Sequence, residues 1–342
     1  MIRKPQGVAE FTEAIKSSTR KKIILLDPPE HVNLGDIAIA YAERSFLEEL
    51  APKNGFDVFM GALNAGFTLV DALKNKGLIS QEDIVCLHGG GNFGNLYIGE
   101  EIIRRYASQK LPKIKKVMFP QSFYFTPDNY GEKARKHSIK VYNQNQSWSL
   151  FARESYTKKF FEENYPNCLI GYTPDIVLSL NIIEQLNPSV RKGAMTLFRA
   201  DIEKAVSTSM IETVTSYLAT RFDEVSVSDT VVNQAVLLSH QKDYLFNIWN
   251  ELAAKELVLT DRLHGMIFAY ITETPCIVFG NSYPKIAQTY HDWLADCNFI
   301  KYIQDVTIEN VAQAIDELKE VTPKRLDLAD KFEPLKQAIL NN

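Results

Sequence analysis

The segment from residue 257 to 285 constrains the fold of this chain more than any other. Leu257-Val258-Leu259 is an apolar run of strand length. Thr260 or Asp261 follows as an N-cap, and residues 266–271 carry a helix forward. Pro275 stops the helix, Cys276-Ile277-Val278-Phe279 forms a second buried strand, and Gly280 opens a polar loop. Pro284 then suits the first turn of another helix. Strand–helix–strand–helix is the repeating unit of a parallel sheet. Arg262, His264, Asn281, Ser282 and Lys285 would lie on loops and helix starts at the carboxyl ends of neighbouring strands. Open α/β sheets bind ligands along that edge. A fixed cation, a titratable imidazole and two helix N-termini suit an anionic substrate. Asp261 alone reads as a cap and Arg262 alone as a surface ion pair; the cluster reads as a site.

A chain of 342 residues exceeds what one hydrophobic core usually organises, so two domains are expected. The net charge of −4 argues against a nucleic-acid partner. No apolar run reaches spanning length, and residues 1–20 carry no apolar signal core. A cytoplasmic protein is the expectation, with at most peripheral membrane association. Cys86, Cys168, Cys276 and Cys297 are scattered, and the histidines show no metal-type spacing, so no metal site is expected.

The first half repeats the same alternation. A strand at 21–26 ends in the long loop 27–36, where Gly35 can bring backbone close to a ligand and Asp36 can cap the helix 37–49. A third strand, 83–88, ends in His88 and runs straight into Gly89-Gly90-Gly91-Asn92-Phe93-Gly94. Those six residues match the spacing of a dinucleotide-binding loop. That loop requires the first strand–helix turn and an acid closing the next strand. Here the glycines follow a later strand, and the next one ends in Pro120-Gln121-Ser122. NAD is therefore excluded, while the exposed amides still suit a phosphate or a sugar. Further strands end in Arg153-Glu154-Ser155 and in Arg199-Ala200-Asp201, and Thr173-Pro174-Asp175 leads into the apolar residues 176–178. Residues 231–239 and 243–254 read as helices, and 327–340 as an amphipathic helix that Pro334 should kink or split. A polar stretch at 187–193 marks the boundary. The expected domains are 1–187 and 188–325, with the helix at 326–342 packing back on the body.

Taken in order, these fragments resemble the polysaccharide pyruvyl transferases. The resemblance rests on Asn33-Leu34-Gly35-Asp36, Gly89-Gly90-Gly91-Asn92, Pro120-Gln121-Ser122, Arg153-Glu154-Ser155, Pro174-Asp175, Arg199-Ala200-Asp201, Asp261-Arg262-Leu263-His264-Gly265 and Asn281-Ser282-Tyr283. Members often carry a histidine after Asn-Ser-Tyr, where this chain has Pro284. The resemblance implies a GT-B-like α/β architecture: two Rossmann-like parallel-sheet domains with a cleft between them. It also implies transfer of the pyruvyl unit of phosphoenolpyruvate to two hydroxyls of one sugar, giving a cyclic ketal on a polysaccharide precursor. No cofactor is implied beyond this donor substrate. The acceptor would be a sugar or lipid-linked oligosaccharide, met at the inner face of the membrane if lipid-linked.

Phosphoenolpyruvate carries a phosphate and a carboxylate, both matched by the guanidinium fork. On this reading Arg199 and Arg262 take those two groups, with Arg153 in support, and Asp261, Asn281, Ser282 and Lys285 complete the donor site. His264 is the acid–base candidate, because an imidazole titrates near neutrality. Asp36, His88 and Gly89 to Asn92 are read as the acceptor side, in the first domain. Two other readings fit the same fold: a sugar-nucleotide glycosyltransferase and a non-catalytic carbohydrate-binding protein.

Overall fold

The structure is a computed structural model and describes residues 7–61, 65–144, 146–187, 190–199, 206–280 and 284–341. The chain forms two compact units. The first comprises Met1–Glu30, Ile39–Ser179 and Ala329–Asn342; the second comprises His31–Ala38 and Leu180–Leu328.

The first unit holds strands β1 (Lys21–Leu26), β2 (Phe56–Gly61), β3 (Ile84–Leu87), β4 (Gly90–Gly94), β5 (Lys115–Tyr124), β6 (Trp148–Ala152) and β7 (Leu169–Tyr172). They pair in parallel in the order β2-β1-β3-β5-β6-β7, with β4 added alongside β5. Helices α1 (Val8–Lys16), α2 (Leu34–Leu50), α3 (Gly66–Asn75), α4 (Ile98–Lys110), α5 (Asn129–Tyr142) and α6 (Ser155–Asn164) connect or precede them; the first turn of α2 is counted with the second unit. Ile23 to Leu26 are fully buried, as expected of strands covered on both faces. Ile24 and Leu26, two residues apart, share one apolar cluster with Val85, Leu87, Met118 and Leu150.

The second unit holds β8 (Ala194–Leu197), β9 (Val225–Ser228), β10 (Leu257–Thr260), β11 (Cys276–Phe279) and β12 (Ile300–Ile303), parallel in the order β12-β11-β10-β8-β9. Its helices are α7 (Thr208–Arg221), α8 (Gln241–Ala253), α9 (Leu263–Ile271), α10 (Lys285–Thr289) and α11 (Ile308–Leu318). A separate apolar cluster links Ala194, Leu257, Leu259, Ile277 and Phe279 to Val311 and Ile315 of α11. No helix among the described residues is long and apolar enough to cross a membrane.

Both sheets have a strand pair at which the winding direction reverses. In the first unit β1 connects outward to β2 while β3 connects toward β5. In the second, β8 connects outward to β9 while β10 connects toward β11. Beyond the carboxyl ends of such a pair the connections diverge and leave a crevice.

Four local expectations are corrected. Gly90–Gly94 is a strand, because the ten-residue β5 outruns β3 and its free edge takes this segment with a shift in register. Residues 231–239 are not helical, because their backbone pairs with the loop before α2. Val232 N donates to Val32 O at 2.9 Å, Val236 N to His31 O at 3.0 Å, and Leu34 N to Thr230 O at 2.7 Å. That pairing also places His31–Ala38 with the second unit although it lies early in the chain. The helix expected over 327–340 is shorter: a 3₁₀ turn at Ala329–Phe332 precedes α12 (Glu333–Leu340), and Pro334 stands at this division, in a first turn where no helical N–H bond is lost. Asp36 does not cap α2: Asn33 Oδ1 accepts the Gly35 N–H at 3.0 Å, and Asn33 Nδ2 holds Asp36 Oδ2 at 2.8 Å.

Candidate active site

In the second unit the candidate residues gather at the β8/β10 reversal. The last register pair is Leu197 with Thr260. Thr260 Oγ1 donates to Leu197 O at 2.8 Å and accepts the Arg262 N–H at 3.0 Å. A Cβ on Gly265 would lie 2.2 Å from that hydroxyl, so the glycine lets α9 start directly against the strand end. Thr260 or Asp261 was expected as the cap of α9, but the N-cap position is Arg262, with no side-chain cap. Asp261 instead reaches across the reversal, where its Oδ1 accepts the Arg199 N–H at 2.8 Å. Its carboxyl is buried, and burial pushes it up to about 6 against the pull of the Arg199 amide and of the Arg199 and Arg262 charges.

Arg262 is buried, and Asp229 grips it at two points, Nη2 to Oδ2 at 2.9 Å and Nε to Oδ1 at 2.6 Å. Asp229 was not among the expected site residues. It closes β9, and the signal available was that polar residues also close the neighbouring strands. His264 stands in the first turn of α9, with its ring centroid 5.9 Å from that of Phe268. A Cβ on Gly35 would lie 2.4 Å from His264 Nδ1 and 2.7 Å from its Cγ, so the imidazole occupies the space that the glycine leaves. The close approach expected of Gly35 is thus to His264. Asp36 also belongs to this unit, 3.4 Å from His31 Nε2, and not to the first unit's sheet edge. Lys285 opens α10 beyond β11 and is partly buried. Asn281 and Ser282 lie outside the described residues.

The first unit has its own polar edge at the β1/β3 reversal. Leu26 pairs with Leu87, and His88 N donates to Leu26 O at 3.2 Å. His88 Nδ1 meets Glu43 Oε2 at 2.8 Å, and Glu43 Oε1 accepts the Gly89 N–H at 2.7 Å. Glu43, also missed in the sequence, is buried. Burial raises its carboxyl, while His88 and the Gly89 amide draw it down. Gly89 is required by packing, since a Cβ would meet Pro120 O at 2.8 Å; Gly90 takes a φ of 110°. Gly91 follows in β4. Asn92 Oδ1 accepts from both Nη1 and Nη2 of Arg104 at 2.9 Å, and its amide meets Glu100. Asn92 therefore fastens α4 to β4.

Arg153 also lies in the first unit, buried at the end of β6. Asp175 Oδ2 holds its Nη1 at 2.6 Å, and Glu154 Oε1 its Nε at 3.0 Å. One guanidinium between two carboxylates offers no excess positive charge to a phosphate. Among the described residues, Arg199, Arg262 and Lys285 are cations at the strand ends of the second unit, and His264 stands in the first turn of α9, two residues after Arg262. Such a set can hold an anion and move a proton.

The polysaccharide pyruvyl transferase family matches residues 33–283, which include both Asn33-Leu34-Gly35-Asp36 and Asp261-Arg262-Leu263-His264-Gly265. General stress protein 30 of Bacillus subtilis (strain 168) is 36% identical over 319 residues, covering 92% of this chain and 90% of that protein. Pyruvyl transferase 1 of Schizosaccharomyces pombe is 27% identical over 317 residues, covering 88% and 76%. In fold, the chain is similar to the crystal structure of the Klebsiella pneumoniae protein KP1_0663. The TM-score is 0.57 at 19% identity, over 88% of this chain and 100% of that one. The two parallel-sheet α/β units are GT-B-like. On the extent of the family match, this chain belongs to the polysaccharide pyruvyl transferases and is a transferase enzyme.

Proposed function

We propose that the donor is phosphoenolpyruvate, that the second unit holds it, and that the product is a cyclic pyruvate ketal on a sugar of a polysaccharide precursor. What carries this reading is the meeting of Arg199, Asp261, Arg262 and His264 at one sheet reversal. Arg199 and Arg262 take the phosphate and the carboxylate of the donor through charge-assisted hydrogen bonds, and Lys285 adds charge. The two-point grip of Asp229 fixes the plane of the Arg262 guanidinium, which lowers the cost of ordering it on binding.

The chemistry balances without a cofactor. The methylene carbon of the enol gains a proton from His264, and C2 acquires oxocarbenium character. A sugar hydroxyl loses its proton and its oxygen bonds to C2. A second hydroxyl of the same sugar then bonds to C2 as the bond from C2 to the phosphate oxygen breaks. Phosphate leaves with the electron pair and a proton. Negative charge developing on the departing phosphate oxygen is met by fixed cations, an arrangement that stabilises the transition state.

The test is phosphate release from phosphoenolpyruvate in the presence of nitrophenyl or lipid-linked sugars, beside thermal unfolding with phosphoenolpyruvate or a UDP-sugar. Phosphoenolpyruvate should raise the midpoint, since a ligand that binds only the folded chain stabilises it. Stabilisation by a UDP-sugar alone, with no phosphate release, would establish a sugar-nucleotide enzyme instead. Sugar binding with neither effect would indicate a carbohydrate-binding protein.

A further inference from the structure

The amino ends of β5, β6 and β7 form the edge of the first sheet opposite the one that carries His88 and Arg153. Successive residues of a strand point to opposite faces. The register therefore sets Lys115 and Val117 of β5, Ser149 and Phe151 of β6, and Leu169 and Gly171 of β7 on one face. Lys115 and Ser149 are polar where a covered parallel sheet is ordinarily apolar. A Cβ on Gly171 would lie 2.1 Å from Phe151 Cε1, so the Phe151 ring takes the space that the glycine leaves. Between this face and α12 lies a cavity of about 820 Å³, within the range that holds small organic ligands. All its lining residues belong to the first unit.

Lys113 and Lys115 bring two ammonium groups to this cavity, and neither makes an ion pair among the described residues. Lys115 donates to the Asn341 carbonyl, and burial lowers the pKa of its ammonium against the pull of Cys86. The acids closest in sequence are engaged elsewhere: Asp83 holds Lys22, and Glu333 holds Lys336. A half-buried cation without a counter-charge has given up hydration that an entering anion would replace. Ser149 is 6% exposed, and its hydroxyl makes no hydrogen bond among the described residues. Leu169, 55% exposed, and Pro334 add apolar wall, while the exposed amides of Gln81 and Gln146 stand at the rim.

We propose that this cavity is a second ligand site and binds a nucleoside phosphate. The phosphate meets the Lys113 and Lys115 ammonium groups and the Ser149 hydroxyl, all of which can donate to it. The base lies against Leu169 and Pro334, with its edge toward Gln81 and Gln146. A side-chain amide offers both donors and an acceptor, the same mixture that the edge of a base presents. Inorganic phosphate would leave the amides and the apolar wall unused. An uncharged nucleoside would leave the two ammonium groups without a counter-charge. The site stands at the amino-end edge of its sheet, apart from the carboxyl-end edge of His88, so its occupant is not a substrate of the transfer. The inference holds whether or not phosphoenolpyruvate is the donor.

The test is calorimetric titration of the full chain with UMP and AMP, beside uridine, adenosine and inorganic phosphate. At least one nucleotide should bind at a single site. Its nucleoside and inorganic phosphate should each bind roughly tenfold more weakly or worse, the scale of a charge-assisted hydrogen bond. The double variant Lys113→Gln, Lys115→Gln should weaken the nucleotide by roughly tenfold or more. Lys115 also meets the Asn341 carbonyl, so Lys113→Gln alone is the second variant. Lys113 is exposed and makes no hydrogen bond or ion pair among the described residues, so that variant should unfold at the wild-type midpoint and still bind the nucleotide more weakly. Arg262→Ala, in the second unit, should keep the wild-type affinity for the nucleotide. Binding of neither nucleotide, or an affinity unchanged in the folded lysine variants, overturns the proposal. So does a nucleoside or inorganic phosphate that binds as tightly as the nucleotide, or a nucleotide lost with Arg262→Ala.

Discussion

Arg262 carries a charge that the fold has already half-compensated, and that decides what its variants should do. Asp229 holds one edge of the guanidinium, so Arg262→Ala removes a donor contact and also leaves Asp229 without its partner. Donor binding should weaken and turnover should fall together. Arg262→Lys should not restore both, because an ammonium cannot make the forked contact. Asp229→Asn keeps the shape and removes the charge. It should raise the KM for phosphoenolpyruvate roughly tenfold with little change in kcat, the scale of one charge-assisted hydrogen bond. An unchanged KM would show that Asp229 does not position Arg262 for the donor. His264→Ala should leave stabilisation by phosphoenolpyruvate nearly intact and cut turnover roughly 10²–10⁴-fold. A stable His264→Ala protein with near-normal turnover would remove His264 from the chemistry. Arg262 and His264 were legible in the sequence because residue type and two-residue spacing sufficed. Glu43 and Asp229 were not, since an aspartate or glutamate acquires a role only from what the tertiary fold sets beside it.

At the scale of elements, two glycines set how α9 starts against its neighbours, Gly265 against the end of β10 and Gly35 against the start of α2. Gly265 lets α9 begin against Thr260, and Gly35 leaves the space that the His264 ring fills. Alanine in a helix interior ordinarily gains up to about 1 kcal/mol over glycine. At Gly35 that gain is opposed by a Cβ only 2.4 Å from His264 Nδ1, an overpacking that typically costs about 1–3 kcal/mol. Gly35→Ala should thus lower the unfolding midpoint or displace the imidazole, and turnover should drop in either case. Gly99→Ala is the matched control, because nothing lies within 4 Å of its Cβ; it should be neutral or slightly stabilising with full activity. Equal behaviour of the two variants would mean that the Gly35 contact has no consequence. The elements legible in the sequence share one property. Strands β10 and β11 and helix α9 follow from local apolar runs bounded by Thr260, Pro275 and Gly280. The misread ones depend on distant partners: β4 exists because β5 offers an edge, and residues 231–239 stay irregular because Val32 and His31 take their amides.

Across the whole molecule, each sheet reversal has an aspartate whose carboxyl burial holds above the ordinary range, Asp27 at about 7 and Asp261 at about 6. The folded chain thus retains two protons that the unfolded chain has released by about pH 4–5. The stability these groups contribute is complete below about pH 4. It is lost as pH rises through 6 and 7 and is constant above, the reverse of the usual ion-paired carboxylate. For Asp27 the rise from the ordinary 3.8 to about 7 corresponds to a loss of roughly 4 kcal/mol, an upper figure. Asp27→Asn cannot ionise, so its stability relative to wild type should climb between pH 4 and 7 and then level off. Asp261→Asn should show the same climb, ending nearer pH 6. The residues belong to different units and share no partner, so the double variant should show the two effects added. Urea unfolding of the four proteins from pH 4 to 9 measures this. If Asp27→Asn differed from wild type by the same amount at every pH, the carboxyl would not be holding a proton in the folded state. A variant that lost stability as pH rose would show instead that the ionised carboxylate is paired. The predicted climb in both variants would show that the fold holds each carboxyl protonated through the acid range and loses that stability as pH passes 6 and 7.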